Sequence, residues 1–600
     1  MKGIVSPDPN WMAMITLRHR ARTLGIAAVV ALGGCGRPER PAHRFTVSFT
    51  PAARGEALTG RIYLALAQDS EPEPRFAVGS LGAYFRSTPF FGVDVDHLAP
   101  GAAAVLDDRA EGYPMLSLRD LPAGDYFVQA LANVYTEARR ADGHTIWVHF
   151  DQWEGQHASS APGNLVSGVR RIHFDPARDL NVSLELTRVL PPLPEEPDTK
   201  WIRHVKFQSA LLTAFWGHPM FIGATVLLPA GYDDHPGVRY PVLYEQTHFL
   251  QHAHNAPLGF RTDSAPAGPA GSQGVDAALL AQIKGYNSES GYDLYKEWRG
   301  PHFPRFIVVN LLGPTPYYDD SYVVNSANTG PWGDAILHEA IPYLEARFRM
   351  IPKGYARVLS GGSTGGWESL ALQFYHPDDF GGAWSSAPDP VDFRRYGLVD
   401  IYADTNAFTV GQDIQLQSPI GEFLHPERPM SRGVEGQPFL TVRQESQIEN
   451  ALGTHGRSAE VFENWEAVYG PVGPDGYPKP LWDKHTGHID QDVAAYMRDH
   501  GYDLRAYLAA HWATVGPKLV DKVHVDVGDM DNYYLNLAVY HLQAFFDSST
   551  SPHVTADVRY GRPMKGHGWY HTTAGGMLRE MAAAITRHAP PGEHPSAWQY

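Results

Sequence analysis

The 600-residue chain has one cysteine, Cys35, so no disulfide can close within it. It also lacks an excess of positive charge. Forty-nine Lys and Arg stand against 66 Asp and Glu, a formal net charge of −17. Phosphate backbones are held by a basic face, so nucleic acid is excluded as the main partner, and the acidic surplus reads as a solubility feature. No HExxH pattern and no internal repeat occur. What is present is ample packing material, 43% hydrophobic with 12% aromatic residues, which is a globular composition. Six hundred residues exceed a single core, so two or three domains are expected.

Residues 1–34 read as a lipoprotein signal peptide. Arg18, Arg20 and Arg22 precede the short apolar stretch TLGIAAVVALGGC, which is too short for a comfortable membrane span. Leu32 to Cys35, LGGC, resembles a bacterial lipobox. That resemblance implies cleavage before Cys35, a lipid on its thiol, membrane attachment through that lipid, and a place in the bacterial cell envelope (periplasmic face or outer membrane). The bland alternative is an ordinary signal peptide with an incidental cysteine. Met12 or Met14 suits a signal start better than MKGIVSPDPNW, and residues 35–43 read as a tether.

From 44 to 188 short alternating segments, RFTVSF, GRIYLALA, DYFVQALANV, HTIWVHF and DLNVSLELT, predict strands and an immunoglobulin-like β-sandwich. VLPPLPEEPDTK, residues 189–200, predicts a linker. Residues 201–600 then alternate strand and helix patterns, predicting a mostly parallel sheet covered by helices on both faces, the α/β-hydrolase class. FPRFIVVNLLG is a continuous apolar run, as expected of a strand buried on both sides. The alternation fails over about 394–516, which reads as an insertion.

The segment YARVLSGGSTGGWESLALQF carries the chemistry. A strand pattern leads into Gly361, Gly362, Ser363, Thr364, Gly365 and Gly366, and a helix pattern follows. A serine hydroxyl is a weak nucleophile that needs exposure on a sharp turn and a base to take its proton. G-x-S-x-G between strand and helix supplies the turn, because side chains two residues either side would collide with the backbone. The turn also places the Thr364 amide where it can donate to a developing oxyanion. A tight turn with an idle serine is the alternative.

In this arrangement an acid and then a histidine follow the serine in the chain. VHVDVGDMDNYYLN offers Asp531, just past a strand's C-terminal end, with Asp526 and Asp529 competing and Asp389 of SSAPDPVDF as a further candidate. KGHGWYH offers His567, flanked by two glycines, with His571 the alternative as a helix-capping or surface residue.

From about Trp201 onward RYPVLYEQTHF, HEAIPYLEARFRM, RVLSGGSTGGWESL, VDVGDMDNYYL and KGHGW resemble the putative esterase family of α/β-hydrolases. That family includes esterase D-like thioesterases, enterochelin esterases, feruloyl esterases and mycolyltransferases. The resemblance implies Ser363 as nucleophile, Asp531 as acid and His567 as base. Where the family carries an HG dipeptide this chain reads Glu245-Gln246-Thr247-His248-Phe249, so a second oxyanion amide falls to Phe249. The expected activity is hydrolysis of a small-molecule or carbohydrate ester, acyl-carbohydrate, feruloyl or siderophore-type, without cofactor or metal. The rival readings are an acyltransferase of the same fold and a non-catalytic surface protein that grips carbohydrate.

Trp465, Tyr469, Tyr477 and Trp482 of the insertion either wall a pocket for a flat ring or bury the insertion against the sheet. His248, His252, His254, His485 and His488 lack a metal-ligand pattern and read as structural or surface residues. Asp319 and Asp320, in a loop without strand or helix pattern, are a weak calcium option.

Overall fold

Alternation along RFTVSF has a direct outcome. Phe45, Val47 and Phe49 are buried while the residues between them are not, along β1 (His43–Phe49). The same rule builds β2 (Leu58–Ala67), β3 (Phe90–Leu98), β4 (Ala103–Asp107), β5 (Glu111–Tyr113) and β6 (Gly124–Val134). It also builds a hairpin of β7 (Thr136–Arg139) and β8 (Thr145–Val148), then β9 (Leu165–Ser167), β10 (Arg170–Phe174) and β11 (Leu180–Val189). The computed structural model describes residues 41–79, 88–150, 157–192, 194, 196–247, 256–264, 290–410, 416–417, 423–424, 426–593 and 597–600. The signal peptide with Cys35, most of the tether, and Phe249, His248, His252 and His254 therefore lie outside the described residues.

Among the described residues nine of these strands join in one hydrogen-bonded sheet of order β4-β1-β11-β9-β6-β2-β3-β5, with β10 on β6. β1 and β2 are four places apart in that order. Yet Phe45 and Val47 share one core with Ile62, Leu64 and Leu66, so the sheet folds back on itself in the manner of a sandwich. The β7–β8 hairpin departs from the expected β-domain. Ala138, Ile146 and Val148 join the core of the C-terminal domain, and Phe150 meets Trp216 edge-on at 5.8 Å.

After β11 come the buried Leu190 and a stretch whose described residues are mostly exposed, then β12 (Ile202–Ser209). It continues through α1 (Ala210–Trp216), β13 (Met220–Leu227), β14 (Val242–Gln246), α2 (Gly291–Trp298), β15 (Ile307–Leu312), β16 (Arg357–Gly362), α3 (Thr364–Tyr375) and β17 (Ala383–Ser386). The insertion follows, with α4 (Val442–Leu452), α5 (Val461–Tyr469), α6 (Gln491–Asp499) and α7 (Leu504–Val515). β18 (Val523–Gly528), α8 (Asn536–Ser548), β19 (Asp557–Gly561) and α9 (Ala574–His588) close the domain. The eight strands order as β12-β13-β15-β14-β16-β17-β18-β19. The two pairings at the β12 edge are antiparallel, and those from β15 onward are parallel. Ile307, Val308 and Val309 of β15 are fully buried, as a two-sided burial requires.

The insertion is a packed body. Trp465, Tyr469 and Trp482 are buried in the same core as the sheet. It also holds the β-domain: Tyr63, Phe90, Leu131 and Val166 pack against Ile448, Ala451 and Leu452 of α4. Arg61 is buried, and its guanidinium donates to Ala451 O at 3.0 and 2.9 Å and to Asn450 O at 2.8 Å. The Gly453 amide caps Glu449 O, and an arginine from the β-domain satisfies the next two carbonyls of the last turn of α4.

Candidate active site

The glycine cluster is explained by crowding. β16 lies beside β14 with Gln246 opposite Gly361. A Cβ on Gly365 would sit 2.1 Å from Gln246 O, and one on Gly361 would sit 2.4 Å from the Gly365 carbonyl. Helix α3 can thus start directly off the strand only with bare backbone at these positions. The serine between them has φ 57° and ψ −121°, a conformation that costs a side-chain-bearing residue about 1–3 kcal/mol. It is held there by Ser363 N donating to Ser386 O at 2.9 Å and by the Asp389 and Trp367 amides donating to Ser363 O, each at 3.1 Å. Thr364 follows as the first residue of α3, where backbone N–H groups have no intrahelical partner.

Asp531 lies in the loop after β18 and is fully buried. Its Oδ1 accepts the amides of Tyr533 at 2.9 Å and Leu535 at 3.1 Å, which fix the carboxylate. Its Oδ2 is 2.8 Å from Nδ1 of His567. The His567 amide donates to Asn532 Oδ1 at 2.9 Å, and the ring meets Tyr533 edge-on at 5.0 Å. Burial alone would lower the His567 pKa. The charge and hydrogen bond of Asp531, joined by the charge of Asp389, outweigh burial and raise it. The carboxylate bond places the ring proton on Nδ1 and leaves Nε2 as the acceptor of the neutral ring.

Ser363 and His567 line one cavity of about 420 Å³, together with Gln246, Thr247, Trp384 and Gly568. Among the described residues Ser363 Oγ does not hydrogen-bond His567; it donates to Asp389 Oδ1 at 3.3 Å. Nucleophile–base contacts that tighten only with substrate bound are common in free enzymes.

The structure separates the competing acids. Asp526 pairs with His571, 2.6 Å from its Nδ1 and 3.1 Å from its amide, and Asp529 accepts the Lys565 amide at 3.1 Å as a turn residue. His571 has more partners than a capping or surface role implied. It also meets Glu580 at 2.8 Å; burial pulls its pKa down, but the two carboxylates outweigh this and raise it. Thr364 and Ser363 adjoin as expected, while Phe249 lies outside the described residues. Asp320 is buried and accepts the Tyr322 amide at 2.7 Å, so it is partnered within the protein. Among the described residues no three His, Cys, Asp or Glu side chains converge as a metal-holding group.

Sequence reasoning passed over Glu245, Tyr322 and the contact of Trp465. Glu245, in the cavity wall, is half-buried, and burial pushes its carboxyl up to about 7 although the Leu258 amide counteracts this. The only signal for it was a carboxylate at the end of an otherwise apolar strand, YPVLYEQ.

A mostly parallel sheet with helices on both faces, and a strand–serine–helix turn at its centre, define an α/β-hydrolase fold. Residues 315–553 match the model of the family described as "Putative esterase", a match that supports a carboxylic ester hydrolase. No curated protein matches the chain by sequence. Solved structures that align with it include an S-formylglutathione hydrolase from Agrobacterium tumefaciens, at 11% identity over 65% of this chain and 98% of that one, TM-score 0.28. A fluorophosphonate-binding serine hydrolase from Staphylococcus aureus aligns at 12% identity over 64% and 98%, TM-score 0.27. A ferulic acid esterase from Anaeromyces mucronatus aligns at 11% identity over 64% and 91%, TM-score 0.24.

Proposed function

We propose that the protein is a serine esterase in which Ser363 is the nucleophile, His567 the general base and Asp531 the acid. The observation that carries this reading is the 2.8 Å Asp531–His567 pair opening on the same cavity as a serine held at positive φ. His567 Nε2 takes the hydroxyl proton as Ser363 Oγ attacks the ester carbonyl, and Asp531 stabilises the imidazolium that results. The Thr364 amide binds the developing oxyanion, a donor worth about 3 kcal/mol, with the Phe249 amide as its partner. His567 then protonates the leaving alcohol, and water, deprotonated by His567, releases the acyl group.

A cavity of about 420 Å³ suits an ester of small-molecule size, of the acyl-carbohydrate, feruloyl or siderophore type. The protein is proposed to be exported and held at the cell envelope by a lipid on Cys35. The test is p-nitrophenyl ester turnover by wild type and Ser363→Ala, with circular dichroism to verify the fold. Turnover is expected to vanish with the spectrum intact; undiminished turnover would remove Ser363 from the reaction.

A further inference from the structure

Asp389 follows β17, whose register beside β16 pairs Gly362 with Ser386 and so brings the next loop across the front of the nucleophile turn. Its side chain is 4% exposed and has two unlike ends. Oδ1 accepts the Ser363 hydroxyl at 3.3 Å. Oδ2 accepts three donors: Tyr322 OH at 2.5 Å, Thr364 Oγ1 at 3.0 Å and, at the long limit, Trp465 Nε1 at 3.4 Å. Trp465 Nε1 also donates to Tyr322 OH at 2.6 Å. Tyr322 comes from the loop before the 332–347 helix and Trp465 from α5 of the insertion. Three segments far apart in the chain therefore grip one buried carboxylate, and the carboxylate grips the serine.

We propose that Asp389 is a positioning residue for Ser363, and that the insertion acts on the nucleophile by holding Asp389 through Trp465 and Tyr322. The inference rests on Ser363 being the nucleophile. A serine hydroxyl can occupy three staggered rotamers, and only some direct Oγ into the cavity. The Asp389 contact selects one before substrate arrives, so that the proton needs only to change acceptor, from Asp389 Oδ1 to His567 Nε2, as Oγ attacks. The carboxylate meanwhile stays where its charge favours the imidazolium. No other donor is needed at Oδ2, because Tyr322, Thr364 and Trp465 already occupy it. The insertion that interrupts the alternating pattern is thus part of the nucleophile's support as well as a cover over the sheet.

The test measures nucleophile reactivity apart from substrate binding. Wild type, Asp389→Asn and Trp465→Phe are treated with an alkyl fluorophosphonate, the labelled residue is identified by mass spectrometry, and kcat and KM are measured with a p-nitrophenyl ester. Asp389→Asn is expected to label Ser363 about tenfold more slowly and to lower kcat about equally, the loss of one charge-assisted hydrogen bond, with KM within about twofold of wild type. Trp465→Phe keeps the ring and removes the donor; it is expected to show a smaller fall of the same kind, and it serves as the deciding variant should Asp389→Asn not fold. A labelling rate unchanged or raised, or a loss carried by KM alone, would overturn the positioning role. A wild-type label found elsewhere than Ser363 would instead overturn the esterase mechanism itself.

Discussion

Among the described residues Lys484 is the one cation in a nest of buried glutamates, and removing its charge tests how the insertion is held. Its Nζ lies 2.7 Å from Glu449 Oε2 and 3.2 Å from Glu466 Oε1, and the three side chains are 8%, 0% and 4% exposed. Burial alone would lower the lysine pKa, but Glu449, Glu466 and Glu463 outweigh it and raise it, so the ammonium persists across the working pH range. On the acid side burial pushes Glu466 up to about 7 even with Lys484 opposing the shift, and it raises Glu463 and Glu445 as well. Replacing Lys484 with Met keeps a side chain of similar length but removes the ammonium, which lies 5.0 Å over the Trp482 ring and 5.8 Å over the Phe462 ring, and leaves the carboxylates without a counter-charge. Breaking a buried pair in this way costs about 3–5 kcal/mol, and at roughly 2 °C per kcal/mol for a large domain the apparent Tm should fall by about 6–10 °C. The size of the fall should depend on pH. A glutamate whose folded pKa is raised above its unfolded value is harmless while both states are protonated. It destabilises progressively as pH rises from the unfolded pKa through the folded one. Without Lys484 the folded pKa values rise further. At pH 5.5 the nest can hold its protons and the loss is small; at pH 8.5 the unfolded chain gains fully by ionising and the loss is greatest. Scanning fluorimetry at the two pH values is the assay. A loss no larger at pH 8.5 than at pH 5.5 would refute the electrostatic account of the nest.

Gly365→Ala places a Cβ 2.1 Å from Gln246 O, so the elbow or β14 must move. An overpacking cost of about 1–3 kcal/mol and a steep fall in ester turnover are expected, measured by apparent Tm and by p-nitrophenyl ester kinetics. Glu245→Gln removes a carboxyl that burial raises to about 7. The wild type gives up stability as pH climbs from the unfolded glutamate value toward 7, so the variant should overtake it in apparent Tm at pH 8 and show little difference at pH 4.5.

Much of the hydrolase domain was legible because its signals are local. A strand buried on both faces must read IVVNLL, and the elbow must read as glycines around a serine because the backbone of β14 occupies the space a side chain would need. Chain order singled out Asp531 and His567 as candidates, and the two side chains lie 2.8 Å apart. The helices of the insertion were not legible for a physical reason. α4, VRQESQIENAL, buries Glu445, Ser446 and Glu449 beside Val442, Ile448 and Leu452, so the buried face is not an apolar one and the helical period is masked. Nor could HTIWVHF disclose that its strand leaves the β-domain, since alternation reports that one side is buried and says nothing of which core receives it. The contact of Asp389 with Ser363 depends on the register of two neighbouring strands, which no segment of SSAPDPVDF contains.

The same insertion that hid its helices joins the two ends of the molecule. Arg61 and Tyr63 of the β-domain end on the last carbonyls of α4, where Tyr63 OH meets Leu452 O at 2.5 Å. Glu449 of α4 accepts the Glu463 amide of α5 at 2.9 Å and shares Lys484 with Glu466. Trp465, on that same helix α5, reaches Tyr322 and Asp389 behind Ser363. Each link is a buried hydrogen bond or ion pair, and leaving any partner unsatisfied costs more than the pair contributes when made. A β-domain tethered only by the segment between β11 and β12 could move freely relative to the sheet. One that caps α4 cannot separate without exposing Arg61 and the last carbonyls of α4. The β-domain is accordingly held to the insertion through α4, and a carbohydrate-gripping role would have to use a face other than the one that α4 occupies.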